Sequence, residues 1–129
     1  MSRQQGKIII APDFNVWPHE LKTAEALARA RYTVEFIRRS EEQFATSAGC
    51  IIDGTIYEME SPTTNSKRRI QRTLRDALKQ ADCFVFDSQR MKGLPDKAIL
   101  QELIKWAPEL KSLKHLLFIG RNGIVIDIK

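Results

Sequence analysis

The chain has 129 residues, a length that predicts one domain large enough to bury its own core. Its formal net charge is +5 and its sequence pI is near 9.4, which favours an acidic or nucleic-acid partner. A membrane-spanning helix is excluded, because no apolar run approaches the roughly 20 residues that a bilayer requires.

Hydrophobic periodicity and turn residues predict strands and helices along the whole chain. The predicted strands cover 7–11, 32–37, 48–52, the residues after the Asp53-Gly54 turn, 83–87, 115–119 and 124–128, and the predicted helices cover 18–30, 66–81 and 95–111. The order β-α-β-ββ-α-β-α-ββ predicts an α+β fold with a mixed, mostly antiparallel sheet and about three packed helices. We assign residues 1–129 to this single domain and expect residues 1–6 to be loose.

The first predicted helix carries a histidine that could take part in acid–base chemistry. His19 and Thr23 lie one turn apart on a side of the helix away from its apolar residues. Imidazole titrates near neutral pH, so His19 is a candidate proton donor or acceptor in a nucleic-acid cleft. The same spacing also fits an exposed histidine at a helix start.

Two carboxylates stand side by side on the strand that follows the Asp53-Gly54 turn. Side chains alternate along a strand, so Glu58 and Glu60 share one face and lie roughly 7 Å apart. Two adjacent carboxyl groups hold a proton more readily than one alone, which suits acid–base catalysis. Asp53 adds a third carboxylate at the turn, and all three are candidate catalytic residues.

A polar loop and a basic helix come directly after this strand. Ser61, Thr64 and Asn65 belong to the loop, and the helix start that follows offers free backbone N–H groups to a phosphate. The predicted cationic stripe on the outer side of the helix consists of Arg68, Arg72, Arg75 and Lys79. A polyanion along this stripe would bring a phosphate to the loop and the carboxylates in one cleft, although an ordinary solvated basic face is the alternative interpretation.

The chain resembles the tRNA-nuclease C-terminal domains of CdiA-type contact-dependent inhibition toxins and their phage-encoded relatives, within the barnase–EndoU–colicin–RelE-like (BECR) group. The similarity runs from about residue 17 to residue 129 and consists of the helix start 19–24, the strand 34–37, the hairpin 51–54, the strand and its exit 57–62, the polar helix start 64–66 and the segment 77–82. The resemblance implies RNA phosphodiester cleavage, with tRNA as the candidate substrate and an acidic immunity protein or antitoxin as a candidate partner.

One position departs from the family's pattern. The strand of these toxins usually reads Glu-x-Lys before the Ser/Thr-Pro step, and here Glu60 holds the lysine position. An ammonium there would stabilise the charge that develops on the phosphate in the transition state, which a carboxylate cannot do unaided. Either other cations such as Arg68 or Arg69 supply this charge, or the activity is weakened or lost.

Three functions therefore remain open. The first is a ribonuclease that needs no cofactor and uses His19, Glu58 and the basic residues. The second is a nuclease that depends on Mg²⁺ or Mn²⁺, for which Asp53, Glu58 and Glu60 would supply oxygen ligands. The third is a non-catalytic module that binds nucleic acid or a partner on a nuclease-like scaffold.

The two cysteines and the start of the chain bear on localisation. Cys50 and Cys83 lie in apolar runs without metal-ligand spacing, which predicts two buried free thiols and fits a reducing compartment. The start, with three consecutive isoleucines, lacks the apolar core of a signal peptide. We expect a cytoplasmic protein with no membrane partner, or the delivered domain of a larger exported toxin.

Overall fold

The computed structural model describes residues 5–12, 14–37 and 49–129. Within these ranges the elements follow the predicted order: β1 Ile8–Ile9, α1 Pro18–Arg29, β2 Val34–Ile37, β3 Gly49–Ile52, β4 Thr55–Glu60, α2 Lys67–Ala77, β5 Cys83–Asp87, α3 Asp96–Trp106, β6 His115–Ile119 and β7 Val125–Asp127. The predicted α+β class, with a mixed sheet and three helices, is confirmed. Of the residues that we expected to be loose, 1–4 lie outside the described ranges.

The strands form one sheet in sequence order, from β1 to β7. Among the strand pairs that the structure describes, β1–β2, β4–β5 and β5–β6 are parallel, and β2–β3, β3–β4 and β6–β7 are antiparallel. The antiparallel share is thus smaller than predicted. The reason is that α2 and α3 each carry the chain back across the sheet before the next strand begins, so that strand runs parallel to its neighbour.

The strand directions gather the loops at one end of the sheet. β1, β2, β4, β5 and β6 all point the same way, so their carboxyl ends lie at a common edge, which we call the carboxyl edge. Each helix follows one of these strands, so α1, α2 and α3 all begin there. In open sheets with helical crossovers, ligands bind outside the carboxyl ends of the strands.

Two hydrophobic cores lie on opposite faces of the sheet. The first packs α1, through residues such as Leu27, against a face that includes Met59 and Val85. The second packs α2 and α3 against the opposite face, where Phe84 and Phe86 are buried. β5 is buried along its whole length, as its continuous apolar sequence predicts for a strand that is covered on both sides.

The predicted hairpin turn is present between β3 and β4. Asp53 and Gly54 both have positive φ, at 47° and 88°, as a two-residue turn of this type requires. The Asp53 carboxylate accepts a hydrogen bond from the Thr33 backbone N–H at 3.0 Å. Asp53 therefore has a structural contact at the edge opposite the carboxyl edge.

Candidate functional site

Two loops meet at the carboxyl edge. The β4–α2 loop covers residues 61–66, and the β5–α3 loop covers residues 88–95. Arg90 reaches across and donates a hydrogen bond from Nη1 to the Ser61 carbonyl oxygen at 3.2 Å. Gly93 has a φ of 92°, and a Cβ at this position would lie 3.3 Å from the Asn65 Cβ. The close approach fixes the two loops against each other.

A buried hydrogen-bond bridge lies beneath these loops. Asp87, at the end of β5, is 1% exposed and accepts hydrogen bonds from the Gln89 N–H at 2.8 Å, from Gln89 Nε2 at 2.9 Å and from Thr23 Oγ1. Thr23 Oγ1 also lies 3.0 Å from the His19 carbonyl oxygen and 3.4 Å from Ser61 Oγ. A hydroxyl carries one proton. When Thr23 donates its proton in the hydrogen bond to Asp87, the Thr23 oxygen can accept a hydrogen bond from the Ser61 hydroxyl.

The contact between Thr23 and Asp87 was not predicted from the sequence. Thr23 and Asp87 are 64 positions apart, and their contact depends on how α1 packs against the sheet. The available signal was weak: Asp87 is a charged residue at the end of an otherwise apolar strand, and Thr23 follows His19 by one helical turn.

The paired carboxylates do share one face, as predicted. Glu58 is paired with Phe84 and Glu60 with Phe86 across the parallel ladder, so both carboxylates point to the side covered by α2 and α3. Glu58 is only 3% exposed, whereas Glu60, at the end of β4, is half-buried. Glu60 is therefore the carboxylate that a large substrate can reach.

The structure does not bring His19 onto that face. His19 lies in the first turn of α1, which packs against the opposite face of the sheet. Its backbone carbonyl oxygen, rather than its ring, lies 3.0 Å from Thr23 Oγ1. The His19 backbone is thus near Ser61, and His19 and Glu58, both candidates for one ribonuclease site, lie on opposite faces of the sheet.

Asp53 is separated from the other two carboxylates. β4 runs from Thr55 to Glu60, roughly 16 Å at about 3.3 Å per residue, and Asp53 lies before its first residue. The oxygen-ligand set that we considered for Mg²⁺ or Mn²⁺ is therefore not assembled. In the described ranges, no group of three or more His, Cys, Asp or Glu residues is arranged to hold a metal ion.

The basic residues of α2 surround a surface cavity of about 430 Å³. The residues that line it, which we call the arginine cavity, are Ser66, Arg68, Arg69, Gln71, Arg72 and Arg75. No acidic side chain is among its described lining residues. Lys79 lies beyond the end of α2 and pairs with Asp76 at 3.5 Å instead.

The arginine cavity and the paired carboxylates do not form the single cleft that we predicted. The cavity faces solvent on the outer side of α2, whose inner side buries Ile70 and Leu74. Glu58 and Glu60 point from the sheet towards that inner side and do not line the cavity. The β4–α2 loop connects the two features along the chain.

The start of α2 is unusual in its charge. Ser66 occupies the N-cap position without a side-chain capping bond, and the first turn contains no acidic residue. Thr64 Oγ1 accepts the Ser66 N–H at 3.1 Å, which shapes the loop just before the helix. Lys67, Arg68 and Arg69 place positive charge where the helix dipole already favours an anion.

The part of the chain that matches a known family contains most of the features described above. The family model for the contact-dependent growth inhibition CdiA C-terminal domain matches residues 47–125, more than half of the chain. The chain belongs to this family. In this CdiA C-terminal domain, the matched region contains the paired carboxylates, the arginine cavity and Asp87, while α1 precedes it.

A solved structure has a similar fold. The CdiA-CT/CdiI toxin and immunity complex from Burkholderia pseudomallei matches with a TM-score of 0.73 and 20% sequence identity, over 96% of this chain and 99% of that chain. A search of curated proteins gives no significant match. The predicted resemblance to CdiA-type toxins is confirmed, and a domain of this family is the delivered part of a larger exported toxin. None of the helices in the described ranges has the length and apolar character to span a bilayer.

Proposed function

We propose that this CdiA C-terminal domain is an endoribonuclease toxin that cleaves phosphodiester bonds in RNA, with tRNA as its substrate. The arginine cavity is the observation that carries the proposal. Four exposed guanidinium groups surround it, and no described acidic side chain lines it to balance them. A nucleic-acid backbone supplies the missing negative charge, and arginine forms bidentate hydrogen bonds with phosphate.

The charge at the start of α2 supports the same conclusion. Three cationic residues in the first turn oppose the helix dipole, and each such mismatch costs about 0.3–1 kcal/mol. A phosphate at this helix start would offset that cost, since it would meet both the free N–H groups and the guanidinium groups. An unfavourable arrangement in the unbound domain becomes favourable when a polyanion binds.

The carboxyl edge offers groups for the chemical step. Cleavage at a ribose 2′-OH requires a base, an acid for the leaving oxygen and cations beside the phosphate. In the proposed mechanism, Glu60 is the base because it is the accessible carboxylate, and buried Glu58 positions it. Ser61, Thr64 and Asn65, in the loop that joins Glu60 to α2, hold the scissile phosphate, and His19 is the candidate acid from the α1 side. Arg68 and Arg69 hold a neighbouring phosphate in the arginine cavity.

Cleavage of purified tRNA tests this proposal. We expect the wild-type domain to cleave tRNA, Glu60→Gln to lower the rate by about 100-fold or more, and His19→Ala to lower it less. Asp53→Asn is the matched control, because asparagine keeps the turn and the acceptor for the Thr33 N–H at the opposite edge. Absence of wild-type cleavage, with and without added Mg²⁺ or Mn²⁺, would refute the ribonuclease assignment.

A second candidate function rests on Glu60 itself. With a carboxylate where the family pattern has lysine, the domain could bind RNA through the arginine cavity without cleaving it. In that case RNA binding would be tight and strongly salt-dependent, and Glu60→Lys would create cleavage activity. Cleavage by the wild-type domain excludes this alternative.

We also propose an acidic immunity protein as the partner of this domain. The similar structure from Burkholderia pseudomallei is described as a toxin and immunity complex. The net charge of +5 and the exposed arginines of the cavity give this domain a surface that complements an acidic protein.

A further inference from the structure

The segment before α1 leaves one large aromatic side chain in solvent. Phe14 and Val16 turn inward and pack against the first core, where the Phe14 ring lies 6.1 Å from the Phe36 ring. Trp17, in the same segment, is 68% exposed. The segment thus buries two of its apolar side chains and presents the largest one outward, although burial of an indole would contribute the most to stability.

The Trp17 backbone is fixed at the start of α1. Its backbone N–H donates to the Glu20 carboxylate at 3.0 Å, and its carbonyl oxygen accepts hydrogen bonds from the first turn of α1. The rings of Trp17 and His19 are nearly parallel, with centroids 6.5 Å apart and planes at 21°. We call this pair the aromatic platform. A pre-ordered aromatic surface binds a flat ligand with little loss of conformational entropy.

The aromatic platform stands next to the loops of the candidate site. The His19 carbonyl and the Ser61 hydroxyl both lie within 3.4 Å of the same Thr23 oxygen. Ser61 begins the loop that leads to α2 and the arginine cavity, so an RNA strand that extends from the cavity along this loop would reach the start of α1.

We propose that Trp17, supported by His19, stacks on an unpaired base of the RNA, so that the domain recognises single-stranded nucleotides and not a duplex. This inference rests on the proposed ribonuclease function. Bases in a duplex hide their faces in the helical stack, whereas bases in loops and ends are free to stack on aromatic side chains. The net charge of +5 favours a nucleotide over an apolar protein segment, since a nucleotide brings its own phosphate.

The chain permits a direct spectroscopic test, because it contains two tryptophans. Trp106 is partly buried on α3, where its Nε1 donates to Glu102 at 3.1 Å, so Trp106→Phe leaves Trp17 as the single indole. This variant is titrated with a 2′-O-methyl oligoribonucleotide, which lacks the attacking 2′-OH, and with the same strand annealed to its complement. We expect the single strand to quench Trp17 fluorescence and the duplex to leave it unchanged.

Affinity measurements separate stacking from charge. Trp17→Ala should weaken binding of the single strand by about fivefold to 150-fold, which corresponds to one lost base stack, whereas Trp17→Tyr should retain most of the affinity. Ile104→Ala is the control, because Ile104 is 54% exposed on α3 but lies outside the candidate site.

Four outcomes would overturn the inference. If the duplex quenches Trp17 as strongly as the single strand, or if Trp17→Ala binds and cleaves RNA like the wild type, the platform fails while the ribonuclease proposal stands. If polyglutamate quenches Trp17 and RNA does not, the surface serves a protein partner. If the wild-type domain neither binds nor cleaves RNA, both proposals fail.

Discussion

Thr23 joins three parts of the fold through one hydroxyl group. It connects α1 to the end of β5 through Asp87 and to the β4–α2 loop through Ser61. Both Thr23 and Asp87 are 1% exposed, so water cannot replace a lost hydrogen bond at this position. An unsatisfied buried polar group costs about 1–3 kcal/mol, and more when it is charged.

We therefore expect Thr23→Val, which keeps the side-chain shape, to lower the free energy of unfolding by about 1–3 kcal/mol. Thr23→Ser keeps the hydroxyl and should lower the free energy of unfolding by less than Thr23→Val does. Urea denaturation of both variants at neutral pH provides the measurement. Equal stability of the valine and serine variants would show that Asp87 does not depend on this hydrogen bond.

Tyr57 makes a contribution to folding stability that depends on pH in the alkaline range. Burial raises its pKa from 10.0 to about 12, and nearby acidic groups, Cys83 first, add to the effect. The folded state therefore keeps the phenol proton between these values while the unfolded state loses it. This contribution to stability is complete below about pH 10 and declines as the pH rises towards 12.

An absorbance titration of tyrosinate checks this expectation. The chain has two tyrosines, and Tyr57→Phe should remove the component with a pKa of about 12 from the titration curve. If the variant retains that component, it belongs to Tyr32 and our assignment is wrong.

At the scale of elements, the two sides of α2 differ, because one is apolar and buried and the other is basic and exposed. Ile70, Leu74 and Ala77 attach the helix to the second core. The arginines on the other side are exposed, so they can be changed without opening a cavity in that core.

The double substitution Arg72→Gln and Arg75→Gln should weaken RNA binding and reduce its salt dependence. Each lost phosphate contact lowers the slope of log K against log salt by about 0.7 for a single strand, so the pair should lower it by about 1.4. Binding at several salt concentrations measures this slope. Lys79→Gln is the matched control, because Lys79 pairs with Asp76 outside the cavity, and an equal effect there would indicate diffuse charge attraction.

The elements themselves were largely predictable, because local patterns determine them. β5 and β6 have the predicted bounds, since each is a continuous apolar run. α2 ends at Ala77, four residues before the predicted end, and its last residues form turns instead. Three members of the predicted cationic stripe, Arg68, Arg72 and Arg75, also follow from sequence spacing, because a period of 3.6 residues alone places them on one side of a helix. Lys79 was predicted as the fourth but lies beyond the end of α2.

The candidate site was less predictable, because it depends on tertiary packing. Alternation along β4 predicts that Glu58 and Glu60 share a face, but not that α2 and α3 cover it and bury Glu58. Local spacing places His19 and Thr23 together, but the partner of Thr23 comes from a distant strand. Asp53 is different: the length of β4 already implied its separation from Glu60, and closeness in sequence was a poor guide.

At the scale of the whole molecule, the two cores share one sheet. β5 contributes Val85 to the first core and Phe84 and Phe86 to the second, so loss of either core exposes one face of the same strand. Such coupling favours a single cooperative unfolding transition.

Leu27→Ala in the first core and Leu103→Ala in the second should each lower the free energy of unfolding by about 2–5 kcal/mol. Both substitutions should shift the same transition, whether it is followed by far-ultraviolet circular dichroism or by tryptophan fluorescence. Two separate transitions in either variant would mean that the cores unfold independently.

The parallel strands that end together have a consequence for how this toxin family can diversify. The sheet and the helices form a scaffold, and its edge opposite the carboxyl edge carries the tight Asp53-Gly54 turn. The loops of residues 61–66 and 88–95 lie at the carboxyl edge, outside this scaffold. Surface loops tolerate changes in length at little cost in folding free energy. Relatives that attack other targets, or that escape another cell's antidote, should therefore differ most in these two loops and least in β4 and β5.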